Sequence, residues 1–219
     1  MVENKIKQRV FYALFIPTLC VFSMGFVFVL MQWFHVDAEI GGIWPRTWKG
    51  LLGIFTHIFV HASWQHLLNN VVSFWVLSVS LFYFYHNIAL KIAFYEWLLV
   101  GVCIWLGGRA GCHVGASGVI YALAFFLLVS GFIRHHIPLM AISFIVIFLY
   151  GSMVWHLFPW QPTDTVSWEG HLFGAIIGVV LAFVYRHQGP QKPVKIWEEE
   201  SVDDEEYWNI PLEDEEKLS

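Results

Sequence analysis

Along this chain, apolar runs long enough to form membrane-crossing helices alternate with short polar joints. Six runs approach the roughly 20 residues that a helix needs to cross a hydrocarbon core: 11–33, 66–86, 89–107, 116–133, 137–157 and 170–186. A lone strand in lipid leaves its backbone groups unpaired, so the pattern predicts helices. The segment between the first two runs, 34–65, reads differently. Gly41, Gly42 and Pro45 interrupt it, yet Trp44, Trp48, Phe55 and Phe59 keep it apolar. That mixture predicts a folded loop at the membrane interface, where Trp concentrates.

Composition agrees with this pattern and narrows the class. Of 219 residues, 58% are hydrophobic and 13% charged, with net charge -5 and mean hydropathy +0.60. Soluble domains carry about 25% charged residues. A soluble domain is therefore excluded, and a net-negative chain lacks the basic surface that nucleic acid binding requires. The expected class is an all-α integral membrane protein with the lipid bilayer as its first partner.

The charge is placed unevenly. Residues 198–219 hold 11 of the 17 acidic residues and one lysine. Such self-repelling runs have little to bury, so 188–219 is expected to be a disordered acidic tail; Tyr207 to Pro211 within it is a candidate docking motif. The rest of the chain is basic. Lys5, Lys7, Arg9, Lys91, Arg134, Arg186, Lys192 and Lys195 fall on one side of the six runs, and Arg46, Lys49 and Arg109 on the other. Eight against three predicts both termini in the cytoplasm, with a cytoplasmic N-terminus over 1–10 and a membrane domain over 11–187. The basic start precedes a long apolar run with no small-residue cleavage site. It predicts a retained anchor, and a bacterial inner membrane as the location. Cys20, Cys103 and Cys112 form no disulfide framework.

Polar residues inside lipid are costly and mark candidate function. Three clusters qualify. His66 and Asn70 are four apart, on one face of the second run, just after His57 and His61 with the same spacing. Ser117 sits in Gly115-Ala116-Ser117-Gly118 at a predicted helix start, where small neighbours leave a hydroxyl accessible and unpaired N–H groups can hold an oxyanion. Tyr121, one turn on, is positioned to stack on an imidazole. His171, Gly174 and Gly178 lie on one stripe of the last run, where glycines let another backbone approach. Each cluster also has a plain structural reading: satisfied interior histidines, a helix cap, and a packing face. Together they put an alcohol and an imidazole at the same end of parallel helices. A serine becomes nucleophilic when a base takes its proton, and neutral histidine is the usual base near pH 7. No intramembrane Asp or Glu is available to orient His171, since Glu96 lies toward the inner half of the third run and Asp164 and Glu169 in the outer loop, so the expectation is a Ser–His dyad. Ser117, His171, His66, Asn70, His61 and Gln65 are expected to line a cavity open to the outer face.

With these residues in order, the chain resembles the rhomboid family of intramembrane serine proteases over about residues 10–187. The resemblance rests on H-x-x-x-N at His66 and Asn70, GASG at Ser117 and GHxxGxxxG from Gly170. It implies a six-helix rhomboid-like bundle, with the long loop after helix one embedded in the membrane and helix five gating lateral substrate entry. It implies Ser117 as nucleophile and His171 as general base. His66, Asn70 and the Ser117 backbone N–H would form the oxyanion hole, supported by Tyr121, Gly115, Gly118 and Gly174. Many members carry Trp-Arg just before the step equivalent to Thr56-His57. Here Leu52-Gly53 stands there, with Trp44-Pro45-Arg46 and Trp48-Lys49 earlier.

The implied activity is endoproteolysis of transmembrane substrate proteins near the outer end of their spans, at small residues beside helix-weakening Gly or Pro. The alternative is a non-proteolytic protein of the same fold that binds transmembrane clients. A zinc site at His57 and His61 is a weaker reading, because no Cys or carboxylate accompanies them and no Glu follows His57. No cofactor and no metal are expected.

Overall fold

The computed structural model describes residues 2–158 and 167–192. Among these the named elements are helical: α1 (Val2–Trp33), α2 (Gly53–Thr56), α3 (Trp64–Phe84), α4 (Ala89–Gly107), α5 (Ser117–Arg134), α6 (Ile137–Tyr150) and α7 (Trp168–Val184). Asp164, the acidic run 198–219 and the motif at Tyr207 lie outside the described residues. Five helical spans are long and apolar enough to cross a membrane, the fifth being α6 together with the turn that follows it to Leu157. The sixth, α7, has 17 residues, about 25 Å of helix.

Two expected runs differ from the observed elements. α1 begins at Val2 rather than near residue 11, because helix-forming residues lead into the run without a break and Glu3 pairs with Lys7 one turn on. The run 137–157 divides at Gly151: α6 ends at Tyr150 and the chain tightens into a 3-10 helix over Gly151–Leu157. The carbonyls of this tighter turn have partners outside it, as the site shows.

α5 forms the centre. Its span is 67% buried, against 17% for that of α1. α5 and α7 meet backbone to backbone. A Cβ at Gly174 would overlap the Gly118 carbonyl oxygen, and one at Gly178 the Ala122 carbonyl oxygen. Only residues without side chains allow this approach, so the GxxxG stripe fixes the distance between the two helices.

The loop 34–63 is folded through short helical turns and tied to the chain before α5. Ile43 and His113 exchange backbone hydrogen bonds of 2.8 and 2.9 Å. Arg46 donates to the carbonyls of Leu106 and Gly108, and the Trp105 indole donates to Thr47 O at 2.9 Å. Arg46, in Trp44-Pro45-Arg46, thereby anchors the loop to the end of α4 although Leu52-Gly53 precedes Thr56. α2 closes on α4 at Gly101, where a Cβ would stand 2.6 Å from the Ile54 carbonyl oxygen.

Candidate active site

The site forms where α5 and α7 begin. Gly115 has φ +102°, and a Cβ there would stand 2.6 Å from His66 Nε2 and 3.1 Å from Asn70 Nδ2. Glycine is needed twice over, for its conformation and for the space. The turn delivers Ser117 as the first residue of α5, where helix N–H groups lack intrahelical partners and the helix dipole is positive.

His171 Nε2 lies 3.1 Å from Ser117 Oγ. Its Nδ1 lies 3.1 Å from the His156 carbonyl oxygen. A carbonyl can only accept, so Nδ1 carries the proton and the Nε2 lone pair faces the serine hydroxyl. This backbone acceptor does what a carboxylate does in three-membered sites: it sets the tautomer and the ring orientation. Tyr121 stacks on the imidazole, with ring centroids 4.2 Å apart and planes 9° apart, and its hydroxyl donates to Met153 O at 2.9 Å. Both acceptors belong to the 3-10 helix Gly151–Leu157.

His66 and Asn70 come from the first turns of α3, whose start is capped by Ser63 accepting from His66 N at 3.1 Å. Asn70 is buried and its Nδ2 has no partner, leaving a donor available beside Gly115. A cavity of about 510 Å³ lies over Ser117, lined by His66 and Gln65 together with Asn69, Cys112, His113 and Ser167. His61, Asn70 and His171 do not line it, contrary to expectation. His61 and Asn70 are packed into the interior, and the face of α3 that meets the cavity carries Asn69.

His57 and His61 support the loop from inside. His57 Nδ1 donates to the carbonyls of Gly53 and Ile54, and His57 O accepts from Gly115 N at 2.9 Å. Burial lowers both imidazoles to about 4, and His66 adds to the effect on His61, so both are neutral at pH 7. Among the described residues no group of three or more His, Cys, Asp or Glu side chains is arranged to hold a metal ion.

One latch had no sequence signal beyond a serine three residues ahead of Gly170. His113 Nε2 donates to Arg109 O, and its Nδ1 accepts from the Ser167 hydroxyl at 2.6 Å. Ser167 in turn caps α7 through Gly170 N. Arg109 pairs with Glu169 at 3.5 Å. The segment before α5 is thus fastened to the start of α7, holding both ends of the Ser117–His171 pair.

Helices of this length and hydropathy around a polar site define an integral, multi-pass membrane protein. Residues 47–188 match the family model of the Rhomboid domain, and the chain belongs to the rhomboid family. It is 34% identical over 154 residues to an uncharacterized protein of Mycobacterium bovis and to one of Mycobacterium tuberculosis, covering 67% of this chain and 64% of each relative. An uncharacterized protein of Mycobacterium leprae is 32% identical over 161 residues, covering 70% of this chain and 62% of the relative. The chain therefore spans less than two thirds of the length of these curated relatives.

Proposed function

We propose that the protein is an intramembrane serine endopeptidase that cuts transmembrane segments of other membrane proteins near the outer end of the span. The observation that carries this reading is the 3.1 Å contact of Ser117 Oγ with an imidazole nitrogen whose ring partner is bound to a carbonyl. Ser117 Oγ attacks the scissile carbonyl carbon as His171 Nε2 takes its proton. The oxyanion is held by the Ser117 N–H and by His66 and Asn70. His171 then returns the proton to the leaving amine, and an acyl-enzyme remains on Ser117. Water entering through the 510 Å³ cavity gives a proton to His171 as its oxygen bonds to the acyl carbon, and His171 passes that proton to Ser117 Oγ as the ester bond breaks and the acid leaves.

A substrate helix must unwind before its carbonyl reaches Ser117, which favours Gly or Pro near the cut. Membership of a family whose members are generally intramembrane serine proteases supports the reading. The excess of basic residues on the side away from Ser117 supports cytoplasmic termini, and the mycobacterial relatives are in keeping with a bacterial inner membrane. The test compares reconstituted protein with Ser117→Ala and His171→Ala on a fluorescent transmembrane substrate. The expected result is turnover by the first and at least a 10³-fold loss in both variants, on the order seen when a catalytic serine or histidine is removed. Equal turnover by Ser117→Ala would dismiss the dyad; clients bound but uncut by all three would favour the non-proteolytic reading.

A further inference from the structure

A cavity larger than the one over Ser117 stands away from the dyad. It lies at the opposite end of the bundle, between α1 on one side and α3 and α4 on the other, with a volume of about 590 Å³. Arg9, Gln8 and His86 stand around it, and Tyr12, Ile16 and Leu90 make it apolar. Ile16, Phe82 and Leu90 also line a second cavity of about 250 Å³, which carries the groove on to Cys20, Phe74 and Leu123. Sharing these three residues, the two cavities follow one another along α1, from a polar mouth to a mostly apolar end. From Arg9 to Cys20 along α1 the rise is about 16 Å, close to one leaflet of a roughly 30 Å hydrocarbon core.

The mouth is built for an anion. The Arg9 guanidinium is held in place: its Nε donates to the Tyr83 carbonyl and its Cζ lies 4.7 Å from the Tyr83 ring centroid. Among the described residues no carboxylate pairs with it. Burial and the Arg9 charge lower the neighbouring His86 imidazole below its ordinary value, as expected in a positive local potential. The wall of this end is mostly apolar and suits a methylene chain; its polar exceptions are Ser78, the Glu96 carboxylate and the Trp97 indole, the last two buried without hydrogen-bond partners. Ser78 and Glu96 in that wall are buried, at 3% and 0% exposure. Tyr12 and Leu90 at the rim are exposed, at 57% and 65%, so the groove opens toward lipid.

We infer that this groove is a site for one anionic phospholipid of the leaflet facing the chain termini. Its phosphate sits on Arg9 and one acyl chain runs between α1 and α4. The inference is independent of the protease reading.

Native mass spectrometry of the full-length protein from micelles holding equal phosphatidylglycerol and phosphatidylcholine tests it. The expected result is retention of one phosphatidylglycerol with a preference of about fivefold or more, the scale of one basic side chain at a lipid surface. Arg9→Gln should bring the preference near unity, Arg9→Lys should keep most of it, and Leu90→Trp should lower retention of both lipids. Unchanged unfolding midpoints in phosphatidylcholine establish that the variants are folded. Equal retention of the two lipids by the unaltered protein, or a preference that survives Arg9→Gln, overturns the site. So does the absence of bound lipid together with a chemical cross-link from the acidic tail to Lys7, which would make the tail the occupant.

Discussion

The two sides of α5 are attached by opposite means. Toward α7 the contact is backbone on backbone, with Gly174 and Gly178 against the carbonyls of Gly118 and Ala122. Toward α6 the lower part is fixed by Ser143, whose hydroxyl donates to Leu128 O at 2.8 Å, and a Cβ on Gly131 would overlap that hydroxyl. Higher up the attachment thins. A cavity of about 240 Å³ separates α5 from Val146, Ile147 and the 3-10 turn, and Phe148 is 87% exposed. Glycine marks both regions with contrary meanings: nothing lies within 4 Å of a Cβ built on Gly151. The seam that holds Ser117 to His171 has no freedom, while the segment that supplies the His171 acceptor is held by side chains, through its bonds to Tyr121 and His171 and through Leu157 and Met153 packed against Tyr121 and Ala175. Side-chain contacts of that kind separate at less cost than a backbone-to-backbone seam.

The comparison is broken most severely at the seam. Gly174→Val forces α5 and α7 apart; it should lower stability by about 3 kcal/mol and reduce proteolysis more than 100-fold, read by unfolding in detergent and by cleavage assay. Retained activity would mean that the seam does not set the dyad distance. The second effect comes from the buried histidines beneath Gly115. His57 and His61 are held at about 4, whereas an unfolded chain protonates histidine near 6.5. The unfolded state therefore binds more protons, so stability is full above about pH 6.5 and falls by several kcal/mol as pH drops toward 4. His61→Gln should flatten part of that slope.

Much of this arrangement was legible in the sequence. The spans follow from apolar run length, and the positions of Ser117, His171, His66 and Asn70 follow from residue types that lipid does not tolerate. What was hidden is carried by backbone. The acceptors for His171 and Tyr121 are the carbonyls of His156 and Met153, which every residue possesses, so no side chain announces them. The switch to a 3-10 turn at Gly151 had the same cause, since hydropathy runs unbroken through it. The bridge between Ile43 and His113 and the bonds of Arg46 to the carbonyls of Leu106 and Gly108 depend on a crossing of distant segments that periodicity does not encode. The single-residue difference between Asn69, which lines the cavity, and Asn70, which is buried, required the helix rotation.

Smaller changes sharpen the looser side of the comparison. Tyr121→Phe keeps the ring stacked on His171 and removes the bond to Met153 O; the loss of one hydrogen bond of about 1 kcal/mol predicts roughly fivefold lower kcat. An unchanged kcat would show that the 3-10 turn is positioned without Tyr121. Gly151→Ala is expected to do the opposite of a seam substitution. Its backbone is helical, at φ -59° and ψ -29°, and the space is open, so stability should rise by about 0.4–1 kcal/mol in thermal unfolding. A loss there would mean that the turn needs its glycine.

The account rests on an activated hydroxyl at Ser117, and a fluorophosphonate probe reads that directly. Peptide mapping should find the label on Ser117 of the full-length protein, and labelling should vanish in Ser117→Ala and in His171→Ala. Undiminished labelling of Ser117→Ala, or labelling of Ser117 that does not depend on His171, would contradict it.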